Sequence, residues 1–215
     1  MKIKYGKNLI LKDKKTFFTE GEVKIGNNVT VYENNRIEET VVGNNVTIMP
    51  GCYIKNCVIG DNSVITSSYC EDAVIGKGCS VGPFARLRPK AIIKDGAKIG
   101  NFVEVKNATV GRGSKVSHLA YVGDAEIGEN CNIGCGAIFV NYNGKIKQRT
   151  TVGNNCFIGS NCNVIAPVNI ADNSYVCAGT TVTENVKEDD FVIGRVKQTV
   201  KERRAHEYLK NKEGV

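Results

Sequence analysis

The chain has no tryptophan, two histidines, four prolines and only 7% aromatic residues in 215 positions. Two histidines cannot build a three-histidine zinc centre, so that class of metal enzyme is excluded by count. Sparse aromatics, with no basic stripe interleaved among stacking residues, argue against a nucleic-acid surface. No run approaches the roughly 18 apolar residues that a membrane span requires, and Met1 to Lys4 leads into no signal-peptide core. These absences lead to the expectation of a cytoplasmic protein with no membrane partner. Nine cysteines are an odd number without a single Cys-x-x-Cys pair, which fits neither a disulfide framework nor a zinc knuckle. Five of them (Cys57, Cys79, Cys131, Cys156 and Cys162) lie two residues before an aliphatic, where a small, mildly apolar side chain fills a corner.

What is present is valine, isoleucine and asparagine in quantity, together with 23 glycines. Val and Ile fit strands, while Gly and Asn accept positive φ, so the mixture suits many short strands joined by tight turns. From Lys24 onward an aliphatic followed by glycine recurs, as in Ile25-Gly26, Val42-Gly43, Ile59-Gly60 and Ile75-Gly76. The most regular run is Val152, Ile158, Val164, Ile170, Val176 and Val182, six residues apart throughout. Six is neither a helical period nor a simple strand alternation; it is the period of a β-helix built from hexapeptide repeats. Each hexad supplies one short strand and one turn, three sides close a triangular coil, and coils stack at about 4.8 Å. Lys24 to Val186 would give roughly nine coils and a prism about 40–45 Å tall on that spacing.

This periodicity divides the chain into a basic leader over 1–15, a β-helix over 16–186 and a tail over 187–215. The tail carries Lys197, Lys201, Arg203, Arg204 and Lys210 around Val200, Tyr208 and Leu209, so a short basic helix across Val196 to Asn211 is expected. It reads equally as a solvated cap or as an arm that holds an anion. A net charge of +7 suits acidic partners such as phosphorylated small molecules or CoA.

The stretch from Lys115 to Tyr142 holds His118, and the repeat breaks just after it, over Asn141 to Thr151. A regular repeat interrupted once suggests a site on a rigid frame, here an acyltransferase site with His118 as general base. A lone histidine is more often structural, so the surrounding strings carry the assignment. They are GPFARLRP from Gly82, GNFVEVK from Gly100, SHLAYVGDAEIG from Ser117, NIGCG from Asn132 and NYNG from Asn141. IGSN from Ile158, IAPV from Ile165, AGTTVT from Ala178 and RVKQT from Arg195 follow.

In this order and at these spacings the strings closely resemble the C-terminal acetyltransferase domain of bacterial bifunctional N-acetylglucosamine-1-phosphate uridyltransferase/glucosamine-1-phosphate acetyltransferases, over nearly all of Phe17 to Thr199. The resemblance implies an all-β, left-handed parallel β-helix that forms a homotrimer with active sites between subunits. It implies transfer of acetyl from acetyl-CoA to the amine of glucosamine 1-phosphate, a step in cell-envelope amino-sugar synthesis. His118 matches the catalytic base. Arg88, Lys106, Tyr121 and Asn132 match sugar-phosphate ligands, with Glu104 beside them, and Lys147 matches a loop lysine that reaches a neighbouring subunit's site. Cys135, Asn141, Tyr142, Ser160, Ala178 and Arg195 match acetyl-CoA contacts, Cys135 through its backbone N–H. Three positions depart from the family pattern: Ser117 for glycine, Ala120 for threonine and Asn143 for aspartate. The chain starts about where the linker into the β-helix would start, so uridylyl transfer is not expected.

The chemistry is consistent with those roles. A neutral imidazole is suited to take the proton of an attacking amine near pH 7. An aimed N–H, or a hydroxyl such as Ser160 or Tyr142, would stabilise the oxygen that becomes negative. Arg88, Lys106, Lys147 and Arg195 supply cations for two phosphorylated substrates, and no metal or covalent enzyme intermediate is required. Each has a plainer alternative: Arg88 and Lys106 as surface charges, Tyr121 and Tyr142 as interface padding, His206 as a solvated side chain. Cys135 has no work in direct transfer beyond its backbone. Two other readings stay open, an acetyltransferase for another amino sugar or sugar nucleotide and a non-catalytic trimeric scaffold.

Overall fold

A computed structural model describes residues 2–209 and shows a parallel β-helix of about eleven turns. Ten short strands, from Lys2–Tyr5 to Asn169–Ile170, stack in parallel as one face, and a bridge between Ile170 and Val186 adds a further rung. Nineteen strands line the other two faces. For clarity the face beginning with Lys2–Tyr5 is the first, that of Ile10–Leu11 the second and that of Phe17–Glu20 the third.

Most coils contribute one inward aliphatic per face, with Cys70 and Phe139 in that place on the third face, and successive coils stack these side chains on one another. On the second face the column runs Val31, Ile48, Ile65, Val81, Ile99, Val116, Ile133, Ile158 and Val176, none more than 2% exposed. The five cysteines expected as corner fillers, Cys57, Cys79, Cys131, Cys156 and Cys162, are buried; all nine cysteines are free thiols, Cys70 sits inward on a strand opposite Leu87, and only Cys135 is exposed. No helix among the described residues is long and apolar enough to cross a membrane.

Corners turn through a residue with positive φ. At the corner between the first and second faces these are Asn8, Asn28, Asn45 and Asn62, then Gly78, Gly96 and Gly113, then Asn130, Asn155 and Asn173. Asparagine tolerates the left-handed region and adds a ladder: Asn8 Nδ2 donates to Asn28 Oδ1 at 2.9 Å, Asn28 to Asn45 at 3.1 Å and Asn45 to Asn62 at 3.1 Å.

The helix is longer than the hexads suggested at both ends. Residues assigned to a leader over 1–15 form the first turn, since Lys2–Tyr5 pairs with Glu22–Ile25 and Ile10–Leu11 with Thr30–Val31. Those residues lack the aliphatic-glycine step yet pair through backbone, which needs no particular side chain. At the other end Phe191–Val192, assigned to the tail, pairs with Tyr175–Val176. The helix expected across Val196 to Asn211 is reduced to a single 3₁₀ turn at Ala205–Glu207 within the described residues. Val196, Val200, Tyr208 and Leu209 are all 69% exposed or more, so no apolar stripe docks to support a helix.

The ladder can be separated from the corner conformation at Asn45, whose φ is 55°. Asn45→Gly removes the side-chain bonds and keeps the turn, whereas Asn45→Ala also places a Cβ in the left-handed region. Urea unfolding should rank wild type above Asn45→Gly and Asn45→Ala lowest, by about 1 kcal/mol below the glycine variant. Equal midpoints for the two variants would show that the corner carries no strain.

Candidate functional site

Two strands are unlike the rest. Lys98–Lys106 and Lys115–Gly123 each run nine residues through the corner between the second and third faces. They bend there at Phe102 and Leu119, with φ of 57° and 38°, and Phe84 one turn below has φ of 56°. All three side chains are more than half exposed, and the Phe84 and Phe102 rings stack at 5.6 Å. Bulky residues in the left-handed region are unfavourable by about 1 kcal/mol or more each, and such strain gathers at functional sites. Gly100 permits the close approach, because a Cβ there would lie 1.9 Å from the Ser117 carbonyl oxygen.

On this corner Asn101 pairs directly with His118, and Asn101 Oδ1 lies 2.6 Å from His118 Nδ1. A carboxamide oxygen only accepts, so Nδ1 carries the hydrogen, and in the neutral ring the lone pair is on Nε2. Above His118 the same corner slot is filled by Cys135, Ser160, Ala178 and, at the top, Gly194, with Arg195 the next residue. Three bonds tie neighbouring turns: Gly136 N–H to Leu119 O at 2.7 Å, Asn161 N–H to Cys135 O at 2.8 Å and Gly179 N–H to Ser160 O at 2.8 Å. Arg195 Nη1 donates to Ala178 O at 2.8 Å. His118 to Arg195 spans four turns, roughly 19 Å on the strand spacing.

The backbone of this column differs from its counterpart at the neighbouring corner. There the equivalent N–H groups are capped by a side chain one turn higher: Asn27 by Asn44, Asn44 by Asp61, Lys77 by Asp95, Glu129 by Asn154 and Asn154 by Asp172, all at 2.7–2.8 Å. The N–H groups of Cys135, Ser160 and Ala178 have no such acceptor among the described residues. The small side chains in the slot supply no cap to this row of donors on one corner. Below Asn101, Pro83 one turn down and Pro50 three turns down offer no N–H at this corner.

Beside the column, on the third face, lie Glu104 and Tyr121, and Arg88 reaches Glu104 from the position below Lys106. Arg88 Nη1 donates to Glu104 Oε1 at 2.8 Å, and this bond with the glutamate charge raises the arginine pKa further. Glu104 stacks under Tyr121. An open cleft of about 500 Å³ joins this face to the corner and is lined by Phe102, Glu104, Leu119, Tyr121, Ile138 and Asn161.

Lys106 sits at the far edge of the third face. Its Nζ lies 3.2 and 3.1 Å from the two oxygens of Asp124, which is only 6% exposed and also accepts from Asn107 and Asn141. Burial pushes the Asp124 carboxyl up, but the bonds from Asn107, Asn141 and Lys106 outweigh it and hold the pKa below the ordinary carboxylate value. The network is therefore intact at neutral pH and is lost only as pH falls below the usual carboxylate range. Asn141 starts the excursion, in which Tyr142 and Lys147 form an antiparallel bridge and Tyr142 donates to Gly144 O at 2.7 Å. Asn143 Oδ1 accepts from the N–H groups of Lys145 and Ile146 at 3.0 and 2.9 Å, a task aspartate would also perform.

The structure thus gathers His118, Cys135, Ser160, Ala178 and Arg195 on one corner, with Arg88, Glu104 and Tyr121 alongside. Asn141, Tyr142 and Lys147 stand at the other edge of the third face. Asn132 is on the second face, between Lys115 and Phe157. Two residues went unremarked in the sequence, Asn101 and Asp124. The first was legible as the residue 17 positions before His118, in the matching slot after Ile99-Gly100. Among the described residues no group of His, Cys, Asp and Glu is arranged to hold a metal.

Residues 19–93 match the GMPPB C-terminal domain model, and residues 149–184 match the model for the hexapeptide repeat of succinyl-transferase. The chain is 46% identical over 179 residues to the Bifunctional protein GlmU of Clostridium novyi, covering 83% of this chain and 36% of the relative. It is 43% identical over 199 residues to the protein of the same name in Clostridium kluyveri, covering 93% and 40%. The chain therefore spans about two fifths of the length of these relatives. Among solved structures, UDP-N-acetylglucosamine acyltransferase from Campylobacter jejuni is 13% identical with a TM-score of 0.49, covering 89% of this chain and 71% of that one.

The Asn101 contact gives a test independent of activity. In long-range ¹H–¹⁵N spectra of the neutral imidazole, wild-type His118 should be the Nδ1–H tautomer. Asn101→Ala should shift it towards the ordinary mixture without changing the melting temperature. A wild-type ring already in that mixture would remove Asn101 from the site.

Proposed function

This chain is a homologue of the C-terminal part of bifunctional GlmU, and on that premise we propose that it transfers acetyl from acetyl-CoA to the amine of glucosamine 1-phosphate. The observation that carries the reading is the corner column: a base with a fixed tautomer at the foot, uncapped N–H groups above it and an arginine at the top. Acetyl-CoA supplies an activated acetyl group, and its extended arm suits a straight row of donors about four turns long. Arg195 meets phosphate at the far end, with Asn141 and Tyr142 as further contacts supported by the family motif.

His118 Nε2 takes the proton as the amine nitrogen bonds to the acetyl carbon, while Asn101 holds the Nδ1 proton and steadies the imidazolium. Collapse of the tetrahedral intermediate then breaks the carbon–sulfur bond, and CoA leaves as the thiol with the proton that the imidazolium returns. The Cys135 N–H is placed one turn above, to donate to the oxygen that gains charge. No part of this needs the Cys135 thiol. Arg88, Lys106 and Tyr121 hold the sugar phosphate, Arg88 with the donors that Glu104 leaves free. Asn132 supports an arrangement between subunits. It faces away from Arg88 and Tyr121 around a corner of the same chain, so the two sets meet only when a second copy brings its own face. That is the reading in which a homotrimer completes each site and Lys147 reaches across from the loop.

The test is thiol release from acetyl-CoA with glucosamine 1-phosphate as acceptor. His118→Ala should lower kcat by about 10²–10⁴-fold, the range of a lost general base, and leave acetyl-CoA binding in place. Arg195→Ala should raise the acetyl-CoA KM and spare that of the sugar. Bound CoA without turnover would redirect the reading to another amine, and absence of both would favour a scaffold.

A further inference from the structure

Asp124 occupies a corner position with φ of 47° and binds in four directions. Its carboxylate accepts from Lys106 Nζ, from Asn107 Nδ2 and from Asn141 Nδ2, and its backbone N–H donates to Lys106 O at 3.0 Å. Its backbone oxygen accepts from the Thr150 N–H at 3.2 Å. Asn141 and Thr150 are the two ends of the excursion that breaks the repeat, so both ends of that loop meet on one residue. Arg149 reinforces the second end, donating to Asn107 O at 3.3 Å and Ala125 O at 3.4 Å and pairing with Glu126 at 3.2 Å. The polar side chains that face the carboxylate are thus one cation and two carboxamides, and the Lys106 side chain is itself only 20% exposed.

We propose that Asp124 is a positioning residue that couples the Asn141–Thr150 loop to Lys106, so that loop placement and the hold on the acceptor's phosphate are a single event. This deepens the acetyltransferase reading and rests on its assignment of Lys106 to the sugar phosphate. The physical logic is that an unpaired carboxylate this deeply buried is costly, so its partners are recruited together. Lys106 directs one N–H at each moment to Asp124 and presents the remainder outward. Release of the loop strips Asn141 from the carboxylate, the aspartate draws harder on Lys106, and the cation turns away from the ligand. Coupling of this kind is reciprocal, so a change at Lys106 is felt in the loop.

Asp124→Asn, Asn141→Ser and Lys106→Met, with the Asp124→Asn/Lys106→Met double variant, separate this from a structural role. Hydrogen–deuterium exchange of residues 142–149 reads the loop without reference to any substrate, and exchange at Thr47–Ile48 reports whether the helix as a whole is intact. All three single variants should speed loop exchange and leave Thr47–Ile48 unchanged. In steady state, Asp124→Asn and Asn141→Ser should each raise the glucosamine 1-phosphate KM, roughly tenfold for the first, as for one lost charge-assisted hydrogen bond. In the Lys106→Met background, Asp124→Asn should add nothing to that KM, because it acts through the lysine. Additive effects in the double variant, or Asn141→Ser that frees the loop without moving the acceptor KM, would overturn the coupling. If wild type does not turn over glucosamine 1-phosphate, the substrate reading fails by itself. The exchange of Lys106→Met then decides the coupling, and an unchanged loop in that variant would end it.

Discussion

Everything in this molecule follows from parallel coils stacked in register, one strand spacing apart. Each residue sits directly above its equivalent in the previous turn, so a side chain chosen once is confronted with its own kind along a column. Aliphatics inward make a continuous core, as in the second-face column from Val31 to Val176. Asparagines at a left-handed corner make a hydrogen-bonded ladder through Asn8, Asn28, Asn45 and Asn62. The constraint also fixes what a functional site can look like: a column or a pair of columns, not a scatter of residues.

The two corners of the second face show how the same geometry serves two ends. Where a turn only has to be stable, the N–H before the left-handed residue is capped by an Asn or Asp from the next turn, as Asp172 caps Asn154. Where Cys135, Ser160 and Ala178 fill the slot, the donors stay free. Exposed donors cost little because water satisfies them, and a ligand with acceptors in a row can replace that water. The strained Phe102 and Leu119 lie at the foot of this row, beside Asn101 and His118. Local irregularity in backbone conformation and the exceptional side-chain choices thus coincide at one corner.

Much of this was legible in the sequence, for a definite reason. A column repeats, so the Val152 to Val182 run reveals the fold from spacing alone, and ordered motif strings mark His118, Arg88 and Arg195. What escaped is what does not repeat. The first turn pairs through backbone without the aliphatic-glycine step, so residues 2–15 resembled a leader. Asn101 and Asp124 owe their significance to a partner one turn away, at 17 and 18 residues, and a motif read along the chain does not display contacts made across it. The tail failed in the opposite sense: its pattern suggested a helix, but Val196, Val200, Tyr208 and Leu209 find nothing to pack against.

A rigid solenoid is well suited to hold donors and a base, because preorganised groups need no rearrangement as charge develops. It is less suited to admit and release substrates. The excursion from Asn141 to Thr150 interrupts the repeat, and it is fastened rather than loose: Asn143 caps its turn, Tyr142 bridges to Lys147, and both ends converge on a buried carboxylate. A loop tied in that way has few arrangements, and the tie lies on the residue that also fixes Lys106. A single ionised group thus ties the loop down, taking its three side-chain partners from two turns, Lys106 and Asn107 on one side and Asn141 on the other. A fold made of nearly independent turns acquires cooperativity only where such a group spans them.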